Sequence, residues 1–141
     1  MNIQEIPLTP ALKEHIEKGF SQHAIEQVGV DGFNEYIAFQ VEDEGVYKGV
    51  ITVRLFWGQL YIAYLFVEKA YRGQRIGEAL MTHALEFGKS KGCTFAFLQT
   101  MSFQAPNFYE KLGFKIDFVR PGYLPGYSSQ TSFYYLSKGI V

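Results

Sequence analysis

One stretch of this 141-residue chain, from Leu60 to Lys91, places the strongest constraint on its fold. It opens with eight consecutive apolar residues, passes through a polar turn that contains Gly73 and Gly77, and ends in a segment whose apolar residues recur with helical spacing. A short apolar run, a glycine-containing turn and a helical pattern predict a buried strand, a tight loop and a helix in that order. We therefore expect an α/β (α+β) protein.

The turn has the chemistry of an anion site. A helix that begins after such a loop presents its unpaired first N–H groups and the positive end of its dipole, which together bind phosphates. Gly73 and Gly77 allow the backbone to approach a ligand closely, while Arg72 and Arg75 add charges suited to pyrophosphate oxygens. A plain strand-to-helix connection explains the turn equally well, because short glycine motifs are common.

The segments around this unit predict a mixed sheet. Residues 35–42, 46–57 and 60–67 are joined by short turns, so they form an antiparallel meander. Residues 94–100 return after the helix and complete a βαβ crossover, parallel to 60–67, with a ligand slot where the two strands diverge. With a short first strand at 3–7 and two last strands at 114–119 and 131–136, the sheet has about six to seven strands flanked by helices.

Two further helices are predicted from their end signals. Thr9 is an N-cap followed by Pro10 at the first helical position, and Gly29 or Gly32 ends that helix. Residues 105–112 form a short helix that ends at Gly113. The length suits a single domain over residues 1–141.

Composition excludes several classes of function. Thirteen Lys and Arg against fourteen Asp and Glu give a net charge of −1, which favours neither nucleic acid nor a membrane surface as a partner. A single cysteine, Cys93, rules out an internal disulfide and a cysteine-based metal site, and it is typical of a reducing compartment. With no signal-peptide pattern and no apolar span, we expect a cytoplasmic protein without a metal.

The stretch from Val67 to Gly77 resembles the acetyl-CoA-binding segment of the GNAT N-acetyltransferase superfamily, in which a strand, a pyrophosphate loop Arg/Gln-x-x-Gly-x-Gly/Ala and a helix follow one another. The resemblance implies a GNAT-like fold with acetyl-CoA as co-substrate. In this stretch and just before it, the resemblance assigns to the co-substrate the residues Leu65, Phe66, Val67, Arg72, Gly73, Gln74, Arg75, Ile76 and Gly77. Arg75 departs from the family, which usually has glycine there. A positive φ at this position would cost an arginine about 1–2 kcal/mol.

A second motif, Phe108-Tyr109-Glu110-Lys111-Leu112-Gly113-Phe114, is similar to the Phe-Tyr-x-Lys-x-Gly-Phe/Tyr segment of the same family. The resemblance implies that Tyr109 protonates the departing CoA thiolate, and that Ala105 and Phe108 contact the co-substrate. The family often has asparagine where this chain has Ser102, which replaces only part of that asparagine's pantetheine contact.

The chemistry of acetyl transfer supports these roles. An amine that attacks a thioester needs an N–H donor for the carbonyl oxygen and a proton source for the sulfur. Backbone N–H groups near Phe66 and Val67 could serve the oxygen if the strand bulges there. A tyrosine with a pKa of about 10 is protonated at neutral pH, although Tyr109 also fits a packing role on the face of a helix.

The sequence gives weaker evidence about the general base and about the residues that contact the acceptor amine. Glu35, Glu68 and the region of Tyr127 are candidates for taking the proton of the amine, and Glu35 and Tyr127 are also the candidate acceptor contacts. Tyr127 belongs to a Pro- and Gly-rich loop, residues 120–130, that could form a wall of the amine site or seal a homodimer.

Three functions follow from the sequence. The first is an N-acetyltransferase that moves an acetyl group from acetyl-CoA to a primary amine of a small molecule or peptide by direct attack in a ternary complex. The second is a catalytically silent CoA-binding module, and the third is an interaction domain that does not bind CoA.

Overall fold

The computed structural model describes residues 1–122 and 131–141, and they divide into two compact units, Met1–Phe33 and Asn34–Val141. The first unit contains helix α1, Pro10–Val28. The Thr9 hydroxyl accepts a hydrogen bond from the Leu12 N–H at 3.1 Å, and Gly29 ends the helix at φ 83°. Both end signals are therefore confirmed.

The prediction of a short first strand at residues 3–7 is wrong. Residues 1–9 contain no strand in the structure. The alternation there covers only a few residues, and Pro7 has no N–H to donate to a partner strand. The expectation of one domain over residues 1–141 stays a prediction.

The second unit is a six-stranded mixed sheet with helices in its crossover connections. Its elements are β1 Asn34–Asp43, β2 Val46–Phe56, β3 Gln59–Val67, a 3-10 turn Lys69–Tyr71, α2 Ile76–Ser90, β4 Phe95–Met101, α3 Pro106–Lys111, β5 Lys115–Pro121 and β6 Ser132–Gly139. The strand order is β1-β2-β3-β4-β6-β5. Only the β3–β4 pair is parallel among the pairs described, so the predicted meander and βαβ crossover are confirmed.

A bulge in β3 explains its uninterrupted apolar run. Thr52 of β2 pairs with Tyr64 and Val53 pairs with Ile62, which leaves Ala63 as an extra residue. Ile62 is buried on the core side before the bulge, whereas Tyr64 is exposed after it. Because one extra residue exchanges the two faces of a strand, the run does not mark a strand that is buried on both faces.

Helix α2 covers the core face of the sheet. Gly88 lets this helix approach β3 closely, since a Cβ at Gly88 would lie 2.9 Å from Leu60 Cδ2. The apolar residues buried between α2 and the sheet include Ile51, Val53, Leu55, Leu60, Ile62, Leu80, Met81, Ala84, Ala96, Leu98, Phe114 and Leu136. No helix in residues 1–122 or 131–141 is long and apolar enough to cross a membrane.

Candidate active site

The parallel pair β3–β4 is hydrogen-bonded along only part of its length. Its four residue pairs run from Gln59 opposite Phe95 to Ile62 opposite Leu98. Both strands continue beyond these pairs, but they no longer pair with each other. We call the space between residues 64–67 of β3 and 99–101 of β4 the slot. It begins at the level of the Ala63 bulge, which bends β3 at that point.

Backbone hydrogen bonds decide which groups of β3 face the slot. The Glu68 N–H donates to the Lys48 carbonyl of β2 at 2.8 Å. Since successive N–H groups of a strand point to opposite edges, the Phe66 N–H also faces β2, whereas those of Leu65 and Val67 face the slot. The bulge of β3 lies at Ala63, before the two residues whose N–H groups we considered for the oxyanion, and the alternation makes Leu65 and Val67, rather than Phe66, the candidate donors.

The loop before α2 leaves the start of that helix open. Among the residues that the structure describes, no side chain caps α2, and its N-cap residue, Arg75, has a left-handed backbone with φ 62° and ψ 20°. Gly73 also has a positive φ, 82°. The position of Arg75 therefore does have the backbone conformation that favours glycine, at a cost to arginine of about 1–2 kcal/mol. Gln74 and Ile76 complete the loop, with Ile76 as the first helical residue.

Arg72 ties this loop to the end of β3. Its Nε donates to the Val67 carbonyl oxygen at 3.0 Å, and its guanidinium lies 5.6 Å from the centre of the Phe66 ring. The Nη groups of a guanidinium provide further N–H donors for an anion. Arg72 is thus held where the slot meets the open start of α2.

Tyr109 belongs to α3, which docks on the first turn of α2. The ring of Phe108 packs so closely on Gly77 that a Cβ there would lie 3.3 Å from Phe108 Cζ. The Tyr109 ring packs edge-on against Phe108 and Phe114, with centroid distances of 5.2 and 6.2 Å. Its hydroxyl has no hydrogen-bond partner among the residues that the structure describes.

Burial raises the pKa of Tyr109 above the ordinary value for a phenol. The hydroxyl therefore stays protonated through the neutral range and keeps a proton to give. The packing role and the acid role expected from the sequence are compatible, because the ring packs while the hydroxyl forms no internal bond.

The end of β4 is organised differently from the sequence expectation. The Ser102 N–H donates to the Ser132 carbonyl at 2.8 Å, and the Ser102 hydroxyl accepts from the Ser132 N–H at 3.0 Å. Ser102 therefore joins β4 to β6. Gln104, which the sequence analysis did not single out, accepts hydrogen bonds from the Met101 N–H and the Thr100 hydroxyl. The signal in the sequence that could have identified Gln104 is its polar side chain just before Ala105, the N-cap residue of α3.

Of the candidates for the base and the acceptor contact, Glu35 lies away from the slot and Glu68 lies next to it. Glu35 pairs with Leu55 at the opposite end of the sheet from the slot, where Val67 pairs with Gly49. Glu68 immediately follows β3 at the slot end. Tyr127 and the rest of residues 123–130 lie outside the described residues. In the described part of the chain, no group of three His, Cys, Asp or Glu residues could hold a metal ion.

The chain is similar to known acetyltransferases in sequence and in fold. The model of the Acetyltransferase (GNAT) family matches residues 4–114. An acetyltransferase of Agrobacterium fabrum, Atu2258, is 36% identical over 104 residues, which are 72% of this chain and 71% of that protein. A blasticidin-S acetyltransferase of Streptomyces morookaense is 28% identical over 95 residues, 67% of this chain and 70% of that protein.

A crystal structure of an acetyltransferase from Agrobacterium tumefaciens superposes with a TM-score of 0.78, at 25% identity, over 99% of each chain. The chain belongs to the GNAT acetyltransferase family. It is an acetyltransferase, and acetyl-CoA is its co-substrate.

Proposed function

We propose that the protein transfers the acetyl group to a primary amine of a small molecule or a peptide, by direct attack of the amine while both substrates are bound. The observation that carries this proposal is the slot, with two N–H groups of β3 on one side and the protonated Tyr109 on the neighbouring helix. The name of the Streptomyces relative, a blasticidin-S acetyltransferase, supports a small-molecule acceptor.

The site fits a thioester of CoA. When bound, acetyl-CoA supplies an activated acetyl group and carries a pyrophosphate. The open start of α2 offers unpaired N–H groups and a positive dipole for that pyrophosphate, and Arg72 and Arg75 add charge beside it. We assign Gly73, whose φ is 82°, to close backbone approach in this loop, whereas Gly77 makes room for the Phe108 ring.

The chain then has three tasks at the reacting atoms. The N–H groups of Leu65 and Val67 face the slot, and we assign that of Leu65 to the developing charge on the carbonyl oxygen. Tyr109 gives its proton to the sulfur as the thiolate departs. A basic group must take the proton of the amine, and Glu68, at the slot end of β3, is the described carboxylate that we assign to it.

The substitution Tyr109→Phe tests the acid role. It keeps the ring that packs on Phe108 and Phe114 and removes only the hydroxyl. We expect kcat to fall by about 10²–10⁴, the usual contribution of general acid catalysis, with Tm and the KM for acetyl-CoA little changed. Thiol release, measured over a panel of amines, provides the readout.

Phe114→Leu is the matched control, because it disturbs the packing of the Tyr109 ring and leaves the Tyr109 hydroxyl in place. A kcat in Tyr109→Phe equal to that of the wild type would reduce Tyr109 to a packing residue. Failure of every primary amine in the panel to release thiol, with CoA still bound, would contradict the proposed acceptor class.

A further inference from the structure

The side chain of Gln104 closes the exposed edge of β4 at the slot. Its Oε1 accepts a short hydrogen bond, 2.7 Å, from the Met101 N–H and a second, 3.1 Å, from the Thr100 hydroxyl. Thr100 is only 4% exposed, so its hydroxyl needs an internal partner. The Gln104 N–H also donates to the Met101 carbonyl at 2.9 Å, which folds the chain back on the end of the strand.

The direction of the Met101 N–H shows which edge is closed. The next N–H, that of Ser102, donates to Ser132 next to β6. Since successive N–H groups alternate, the Met101 N–H points to the other edge, toward β3. The β3–β4 ladder has already ended at Leu98. Gln104 Oε1 thus accepts from the Met101 N–H the hydrogen bond that a β3 carbonyl would accept if the two strands had stayed paired.

The same bonds fix the orientation of the carboxamide. An N–H can only donate, so the atom that meets the Met101 N–H must be the carboxamide oxygen. The NH₂ group therefore points away from the β4 backbone. Its two N–H donors have no hydrogen-bond partner among the residues that the structure describes, and the Gln104 side chain is exposed.

We propose that Gln104 is a positioning and specificity residue for the thioester substrate. Its oxygen keeps the slot edge of β4 from pairing, and its NH₂ donates a hydrogen bond to an amide carbonyl of the pantetheine arm. The inference rests on the proposed use of the slot for acyl-CoA. It assigns this contact to Gln104 rather than to Ser102, because the backbone N–H and the hydroxyl of Ser102 both bond Ser132, on the β6 side of β4.

Two substitutions separate the two roles. Gln104→Glu keeps acceptor oxygens for Met101 and Thr100 but removes the NH₂. Gln104→Met keeps the length of the side chain and removes both functions. The matched control is Asn107→Asp, the same change from amide to carboxylate at an exposed position of α3. Affinities for CoA and for 3′-phospho-ADP, which lacks the pantetheine arm, are measured by calorimetry, and hydrogen exchange is measured at the Met101 amide.

For Gln104→Glu we expect CoA affinity to fall about three- to tenfold, the effect of one hydrogen bond, with 3′-phospho-ADP affinity and Met101 exchange unchanged. For Gln104→Met we expect the same loss of CoA affinity and an exchange rate at Met101 raised about tenfold or more. Asn107→Asp should bind both ligands as the wild type does.

Three results would overturn the inference. A CoA affinity of Gln104→Glu equal to that of the wild type would contradict the NH₂ contact. An unchanged exchange rate at the Met101 amide in Gln104→Met would contradict the role of the carboxamide oxygen. An equal loss for CoA and 3′-phospho-ADP in Gln104→Glu would reduce the effect to charge repulsion. These results are independent of catalysis: an unaltered kcat in Tyr109→Phe would contradict the proposed acid without changing any of these affinities.

Discussion

The two halves of the β3–β4 pair show how one pair of strands serves both stability and binding. In the first half, Leu60 and Ile62 pair with Ala96 and Leu98, and all four residues are buried. In the second half, the strands do not pair, and Tyr64 is 73% exposed. The same two strands thus form core in one half and the open slot, where we propose that the substrate binds, in the other.

The difference between the two halves arises from two structural features, the bulge in β3 and the Gln104 side chain, rather than from the amino-acid composition of the strands. The extra residue Ala63 bends β3 and exchanges its faces, and the Gln104 carboxamide satisfies the edge of β4 that β3 has left. An unpaired strand edge normally leaves N–H groups without partners, which is costly when they are buried. The Leu65 and Val67 N–H groups of β3 have no partner in residues 1–122 and 131–141, and we propose that a ligand uses them.

The largest effect expected in the slot half concerns pH. The pKa of Tyr109 lies above its ordinary value of about 10, so the acid is present below that pH and is lost only above it. We expect the ratio of wild-type kcat to that of Tyr109→Phe to stay at about 10²–10⁴ from about pH 7 to about pH 9.5 and to shrink at higher pH. A ratio that already declines between about pH 7 and 9 would assign the proton to a group of lower pKa.

The paired half should respond in stability instead. Leu60 is fully buried, and Leu60→Ala should lower the free energy of unfolding by about 2–5 kcal/mol. Leu65 lies in the slot half and is only partly buried, so Leu65→Ala should cost about 1–2 kcal/mol. Urea denaturation measures both. If Leu60→Ala and Leu65→Ala lower the free energy of unfolding equally, the two halves of β3 do not differ in stability as their burial indicates.

Removing Arg72 should affect binding at the junction of slot and helix. Because a charge-assisted contact to phosphate is lost, we expect Arg72→Ala to weaken CoA binding about tenfold, and binding of acetyl-pantetheine, which lacks the pyrophosphate, by less. Calorimetry with both ligands measures the difference. Lys69→Ala, in the neighbouring 3-10 turn, is the control for a general loss of positive charge. Equal losses for the two ligands would limit Arg72 to its bond with Val67.

The smallest effect concerns the left-handed residue of the loop. Arg75→Gly should relieve about 1–2 kcal/mol of backbone cost, partly offset by the greater freedom of glycine in the unfolded chain, for a net gain of about 0.5–1 kcal/mol. Arg75→Ala keeps a Cβ and should give no such gain. Thermal unfolding without ligand measures both variants. A glycine variant no more stable than the alanine variant would show that Arg75 is not strained.

The homodimer, the cytoplasmic location and the roles of Tyr127 and of the loop at 120–130 stay predictions. Light scattering tests the homodimer directly. If Tyr127→Ala changes the measured mass and leaves the ranking of amines unchanged, the loop seals a dimer. If it changes KM and the ranking of amines without changing the mass or CoA affinity, the loop is a wall of the amine site.

The sequence by itself determined the features that depend on local chemistry. Thr9, Pro10 and Gly29 fix the ends of α1, because caps act within one helical turn. The order of strand, loop and helix around Gly77 sets the βαβ crossover, since short connections and handedness leave little choice. The spacing of two motifs was sufficient to indicate the family.

Tertiary structure alone decided what depends on register between distant segments. The bulge lies at Ala63 because β2 and β3 pair on both sides of it, and no local pattern encodes that position. Glu35 falls at the far end of the sheet through its pairing with Leu55. Gln104 can accept a hydrogen bond from the Met101 N–H only because β3 no longer pairs with β4 at that level. Long-range pairing sets which backbone groups remain unsatisfied, and that cannot be derived from the order of residues in one segment.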